Sequence, residues 1–204
     1  LNYKDVFIVP QYSTLGTRSE VDLETKLGDL ILRNPIVSAA MDTISESDMA
    51  VALYNLGSCA FMHRFMSVEE NINEYLKVKN SDAECFVSVG VKQTEKERFD
   101  ALYKSGARFF SLDAAHGHSL IMKTMVEWVK SNYKDIYLVV GNVATVSGIA
   151  DLESWGANAI RVAISNGSVC QTKPTTGVWI PTFSVVRNCA MVANVPVIAD
   201  GGFN

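Results

Sequence analysis

No two of the four cysteines (Cys59, Cys85, Cys170 and Cys189) stand at Cys-x-x-Cys spacing, and three of them sit among apolar residues. That argues against a zinc site or a disulfide framework and fits reduced thiols in a cytoplasmic protein. A basic stripe is also missing. Lys and Arg number 18 against 22 Asp and Glu, for a net charge of -4 and a pI near 5.4, which argues against a nucleic-acid partner. No apolar run approaches the ~20 residues of a membrane span, so no membrane partner is expected. Linkers, low-complexity stretches and internal repeats are absent as well. Leu1 is not an initiator Met and no signal peptide follows, so the chain is expected to begin downstream of a true start. What is present is 204 residues, 48% hydrophobic and 20% charged, enough for one sizeable core.

Short apolar runs alternate with segments of helical period. Strands are predicted at 35–39, 58–62, 85–89, 109–112, 136–140, 159–162 and 196–199. Helices are predicted at 45–56, 67–78, 94–105, 119–131, 146–155 and 182–192. Ser67 followed by Glu70 has the pattern of a capping box. Strands alternating with helices imply a parallel sheet, and several are too uniformly apolar to have a wet face. Seven in a row fit an α/β fold of the (β/α)8 TIM-barrel type better than a short open sheet. A barrel with seven strands leaves two open edges, so the expectation is a single barrel domain over 1–204, truncated after its seventh strand. Residues 1–34 read as an N-terminal extension packed on that barrel.

Catalytic groups of such barrels hang from the C-terminal ends of the strands. Those ends carry Met41, Asp42 and Thr43, then His63 and Arg64, Asp113 with His116 and His118, Asn142, the loop around Cys170, and Asp200-Gly201-Gly202. Asp42 reads equally as a ligand or as a helix start, and His118 reads as a surface loop residue. Asp113 is a carboxylate at the mouth of an apolar strand, and the Asn142 amide offers a donor and an acceptor to a purine edge. Cys170 lies in a Gly/Ser loop beyond the apolar run 159–164, among backbone N–H groups that favour a thiolate. Small residues at Gly167 and Ser168 let the backbone approach a phosphate.

Residues 38–43 (Ser-Ala-Ala-Met-Asp-Thr), the 113–119 loop (Asp-Ala-Ala-His-Gly-His-Ser), Gly-Asn-Val-Ala-Thr at 141–145, Gly-Ser-Val-Cys at 167–170 and Asp200-Gly201-Gly202 follow one another in a specific order. In that order and spacing the chain resembles the IMP dehydrogenase/GMP reductase family over essentially its whole length. The resemblance implies a homotetrameric barrel enzyme that exchanges the substituent at purine C2 with a nicotinamide cofactor. It makes Cys170 the nucleophile that forms a thioimidate, and Thr172 its partner in activating water or the leaving ammonia. It places Ser168, Gly167, Gly201 and Gly202 at the nucleotide phosphate, Asp200 at the ribose hydroxyls, and Met41 and Asn142 near the base. Asp113, Ala114 and His116 fall beside the cofactor. In the dehydrogenases this loop also wraps a monovalent cation such as K+, which here would use the backbone of Ser165, Gly167 and Cys170.

Two directions fit: NADPH-dependent reductive deamination of GMP to IMP, or oxidation of IMP to XMP with NAD. Residues 61–65, 88–92, Thr172-Lys173 and 176–178 lean to the reductase, as does the run from Met66 to the next strand without a paired regulatory module. Residues 39–43 and Ser45-Glu46 look more like a dehydrogenase. The reductase is preferred. Ala163 and Ser165 replace glycines that the family usually carries, and either would be strained at positive φ, so the metal stays unassigned. The resemblance places further active-site elements beyond Asn204, so residues 1–204 alone are not expected to turn over. The substitutions also motivate a catalytically silent nucleotide-binding homologue. An unrelated sugar-phosphate-binding barrel is the third reading, and it would not need Cys170 with Thr172.

Overall fold

The computed structural model describes residues 1–167 and 170–203. A short antiparallel hairpin, β1 (Thr25–Leu27) and β2 (Leu30–Leu32), precedes a parallel sheet. That sheet runs in chain order through β3 (Phe61–Met62), β4 (Phe86–Val89), β5 (Phe109–Asp113), β6 (Tyr137–Val143), β7 (Ala159–Val162) and β8 (Val197–Ala199). Helices α1 (Ser47–Asn55), α2 (Val68–Asn80), α3 (Glu95–Lys104), α4 (Leu120–Asn132) and α5 (Val146–Trp155) fill the connections up to β7. The last connection carries the short α6 (Thr172–Thr176) and then α7 (Thr182–Ala190).

Alternation along the strands sends their side chains into two layers. Phe110, Leu112, Leu138, Val140, Ile160 and Val162 join the helices in the larger core, where Phe99 of α3 stacks on Phe110 at 4.0 Å. Each fully buried aromatic of this kind contributes about 2–3 kcal/mol. The opposite face gathers Phe61, Phe86, Val139 and Ala159 with Phe109, Tyr137 and Ile198. Leu27, Leu30 and Leu32 pack into the same cluster, so the hairpin plugs the N-terminal mouth of the strands. The sheet is curled into an incomplete barrel. Flat, β3 and β7 would lie about 19 Å apart at the ordinary strand spacing. Instead the Arg161 guanidinium of β7 lies 5.7 Å from the ring of Phe61 on β3.

The strand predicted at 35–39 is reduced to one bridge, Val37 with Cys59, supported by Ser38 N–H donating to the Cys59 carbonyl at 3.3 Å. Pro35 has no N–H to give a ladder, which shortens the pairing. The helix expected from Ser45 starts at Ser47, because the Ser45 hydroxyl is turned to Ser38 Oγ at 2.7 Å and the Ala39 carbonyl at 2.5 Å. The cap comes from elsewhere: Glu74 on α2 accepts from Ser47 N–H at 2.9 Å. The Ser67/Glu70 capping box forms as the spacing predicts, with bonds of 3.1 and 2.8 Å.

Burial pushes the Glu74 carboxyl up, but Lys77, together with the hydroxyl and N–H of Ser47, outweighs it and holds the group at about 2. A folded pKa below the unfolded value contributes stability above the unfolded pKa, lost as pH falls through the folded one. Glu74→Ala is therefore expected to cost about 1 kcal/mol in urea unfolding at neutral pH, the usual worth of a cap. The deficit should shrink as pH falls from about 4.5 towards 2, and a deficit independent of pH would remove the capping role.

Candidate active site

At its C-terminal end the inner face changes from apolar to charged. The inward residue of β7 is Arg161, only 6% exposed. Its Nη2 donates to Asp113 Oδ1, its Nε donates to Asn142 Oδ1 at 3.1 Å, and Asp200 Oδ2 lies 3.9 Å from Nε. Gly141 makes this entry feasible, since a Cβ there would stand 2.6 Å from Arg161 Cβ and 2.8 Å from its carbonyl oxygen. The next residue is the extra one in a bulge: Gly141 pairs with Arg161, and Val143 already pairs with Val162. Bulges at barrel rims re-aim side chains. Here Asn142 Nδ2 donates to the Ala163 carbonyl at 2.8 Å and to Asp200 Oδ2 at 2.5 Å. The Asn142 amide thus braces the cluster, and a contact to a base would have to share it with Asp200.

The same bulge holds the loop after β5. Ala114 N–H donates to the Gly141 carbonyl at 3.0 Å, and Gly117 N–H to that of Asn142 at 2.7 Å. The loop presents Ala114 half-buried and His116 exposed beside Asp113. His118 is half-buried and bonded to Asp151 of α5 at 2.7 Å, which anchors the loop at its far side. Across the barrel, Arg64 Nε is buried without a hydrogen-bond partner among the described residues, 3.9 Å from Asp113 Oδ2. His63 accepts from Phe65 N–H on Nδ1 at 3.1 Å, so its proton sits on Nε2, which donates to Glu46 at 3.1 Å. Met41 sits half-buried in the turn before α1, its carbonyl accepting from Ile44 and Ser45 N–H at 3.0 Å each.

The Cys170 loop packs on the turn that ends β8. Gly201 and Gly202 have φ of 71° and 77°, a region that favours glycine. A Cβ on Gly201 would stand 3.1 Å from Gly167 N, and one on Gly202 2.5 Å from the buried Thr182 Oγ1. Asp200, Gly201, Gly202 and Gly167 therefore form one surface, and Thr182, which the sequence reading missed, lies against it. Ser168, the expected phosphate donor, lies outside the described residues. Thr172 starts α6, and burial separates Cys170 from its three counterparts. The Cys59 thiol is pushed up to about 12 and Cys189 to about 11 by burial, and Cys85 is raised well above the usual thiol range for the same reason. Cys170 alone is lowered, chiefly by the Thr172 hydroxyl, against an opposing desolvation. The N–H groups of Thr172 and Lys173 and the Ser165 hydroxyl add to the lowering. Among the described residues the buried Ser165 hydroxyl has no other hydrogen-bond partner, so the Cys170 sulfur is the acceptor within its reach.

Ala163 and Ser165 adopt φ of 102° and 65°. Both positions thus keep the backbone shape that glycine would favour, at a cost of about 1–2 kcal/mol each for a side chain. Of the carbonyls assigned to a monovalent cation, that of Gly167 accepts from Cys170 N–H at 3.1 Å. One of the three is thus engaged inside the loop, and no step is derived through a cation.

Two outcomes follow from this geometry. Ala163→Gly is expected to stabilise the chain by about 0.5–1 kcal/mol, the relieved strain exceeding the added freedom of the unfolded chain, as read from the denaturant midpoint. Arg161→Met should destabilise by about 1–3 kcal/mol, since it removes the shared cation and leaves Asp113 only the more distant Arg64 and Asp200 only the Asn142 amide. A near-neutral Arg161→Met would mean that the carboxylates find other partners.

A family model described as the IMP dehydrogenase / GMP reductase domain matches residues 1–204. Inosine-5'-monophosphate dehydrogenase of Cryptosporidium parvum is 35% identical over 99% of this chain and 61% of its own length. GMP reductase of Paracidovorax citrulli is 35% identical over 98% of this chain and 62% of its own. Among solved structures, the inosine 5'-monophosphate dehydrogenase of Legionella pneumophila superposes with a TM-score of 0.93 at 37% identity. That match covers 100% of this chain and 62% of the other. The chain thus spans about three fifths of the length of these relatives. Family match, identity and superposition agree with the order of motifs along the barrel, and the chain belongs to the IMP dehydrogenase/GMP reductase family.

Proposed function

We propose that the protein to which this chain belongs is a purine nucleotide oxidoreductase that works at C2 through Cys170. The observation that carries the reading is the contrast among the four thiols: burial raises three of them, and the fourth, Cys170, is held below the usual thiol range, chiefly by the Thr172 hydroxyl. Cys170 also stands in the loop whose Gly167 lies against Gly201 of the β8 turn. A carboxylate suits paired ribose hydroxyls, and backbone beside small residues suits a phosphate. The reaction we favour is reductive deamination of GMP to IMP. The Cys170 sulfur adds to C2, the 2-amino group takes up a proton and leaves as ammonia, and a thioimidate links C2 to the protein. Thr172, hydrogen-bonded to the thiolate, would steer the proton to the departing amine. When bound, NADPH would supply the hydride that replaces sulfur at C2, leaving NADP+ and the free Cys170 sulfur. Dividing the exchange into two steps lowers each barrier.

The cofactor would lie against Asp113, Ala114 and His116. Arg64 supports that placement, because its Nε is an orphaned buried donor facing the same site. The second reading is the dehydrogenase direction with IMP and NAD. It is favoured by the Legionella structure and the Cryptosporidium relative, both named for it. We read residues 1–204 as a single partial barrel domain with residues 1–34 as its extension. No insert separates β3 from α2 or α2 from β4 among the described residues. A homotetramer in the cytoplasm is the matching assembly and location.

In the full-length protein a thiol reagent near neutral pH should label Cys170 first, and GMP or IMP should slow that labelling. Equal labelling of all four cysteines without nucleotide protection removes the nucleophile. NADPH oxidation with GMP that disappears in Cys170→Ala is expected, and NAD reduction with IMP would move the assignment to the dehydrogenase. Thr172→Val should shift the pH midpoint of Cys170 labelling upward, since the hydroxyl is the largest influence holding it down.

A further inference from the structure

Trp179 lies in the strap between α6 and α7, on the exposed side of the Cys170 loop. Its indole Nε1 donates to Asn166 Oδ1 at 3.0 Å, and the Lys173 ammonium stands over its ring, 4.0 Å from the centroid. Asn166 precedes Cys170 and Lys173 follows it, so one side chain ties together both limbs of the loop. Asn166 is fixed on its other side as well. Its Nδ2 donates to the Ile164 carbonyl at 2.9 Å, and a Cβ on Gly202 would stand 3.1 Å from its Cβ. The line of contact therefore runs from Trp179 through Asn166 to the turn that ends β8.

We propose that Trp179 is a positioning residue for Cys170, an indole clamp that ties Asn166, beside Gly202, to Lys173 on the other side of Cys170. The inference deepens the proposed function and rests on its reading of Cys170. Ala163 and Ser165 hold the left-handed region at φ of 102° and 65°, so the upstream limb is strained and gains by relaxing. An exposed hydrogen bond and a cation–π contact are each modest. Both act across the same short loop, however, and opening it breaks both. The clamp also keeps Thr172 and Lys173 at the distance from which they stabilise the thiolate. A tryptophan suits this task because it offers a flat face to a cation and one directional donor at its edge.

The test follows iodoacetamide labelling of Cys170 against pH in the full-length protein, with the site assigned by mass spectrometry. Wild type is compared with Trp179→Phe, which keeps a ring for Lys173 and removes the donor, with Asn166→Ala, and with the double variant. Each single change should raise the labelling midpoint by about half a pH unit, about threefold less thiolate below the midpoint. It should weaken protection by GMP by a similar factor. The double variant should move no further than Asn166→Ala alone, because that change already breaks the Trp179 bond along with the one to Ile164. Midpoints that superimpose on wild type, or shifts that add in the double variant, overturn the clamp. If Trp179→Phe does not fold, Asn166→Ala is judged by the same midpoint. Wild type that GMP fails to protect sinks the nucleotide reading and leaves the midpoint comparison intact. Protected wild type with unshifted variants sinks the clamp alone.

Discussion

A guanidinium inside an apolar barrel is tolerable only if carboxylates and amides surround it, because desolvating the ion costs several kcal/mol. Arg161 imposes that condition on everything near it. Asp113 at the end of β5 and Asp200 beyond β8 face it from two sides, and the bulged Asn142 fills the gap between them. Gly141 is small because Arg161 passes beside it. The loop of Ala114 and Gly117 rests in turn on the backbone at Gly141 and Asn142. One inward charge therefore organises the ends of four strands, and the candidate cofactor and ribose carboxylates both face Arg161, with Arg64 a second cation beside Asp113.

The Cys170 loop shows the complementary arrangement, in which order is imposed on a backbone that resists it. Ala163 and Ser165 hold positive φ without being glycine. The strain persists because neighbours over-determine the loop: Asn142 Nδ2 grips the Ala163 carbonyl, and the glycines at 201 and 202 let the β8 turn close on Gly167 and Asn166. Such strain is the kind that pre-organises functional loops, and here it falls beside the candidate nucleophile Cys170. The catalytically silent alternative drew on these two substitutions, and their backbone nonetheless keeps the shape that glycine would give.

Much of this was legible beforehand, and the misses have physical causes. Period and caps located the helices to within a few residues: 146–155 matches α5 end to end, and Ser67 with Glu70 opens α2. The hairpin of β1 and β2 escaped notice because strands of three residues carry too little alternation to read. Residues 35–39 looked like a full strand by composition, yet they pair only through Val37. Ser45 had the chemistry of a cap and spent its hydroxyl on Ser38 and Ala39, while Glu74, 27 positions from Ser47, supplied the cap. Arg161 was the clearest missed signal. A charge at an inward position of the apolar run 159–164 marks a place where partners must converge.

Residue order alone determined the alternation of strands and helices, the side of the barrel on which polar groups collect, and the family to which the motifs belong. These depend on periodicity and local spacing, which a linear chain carries in full. Only the tertiary structure decided that Asn142 braces rather than stands free, that Arg161 joins Asp113 to Asp200, and that Cys59, Cys85 and Cys189 are buried deeply enough to raise their thiols. Each of those depends on burial and on contacts between residues far apart along the chain. Curling the sheet sets the desolvation and the charge that each group feels, and no local pattern encodes either one.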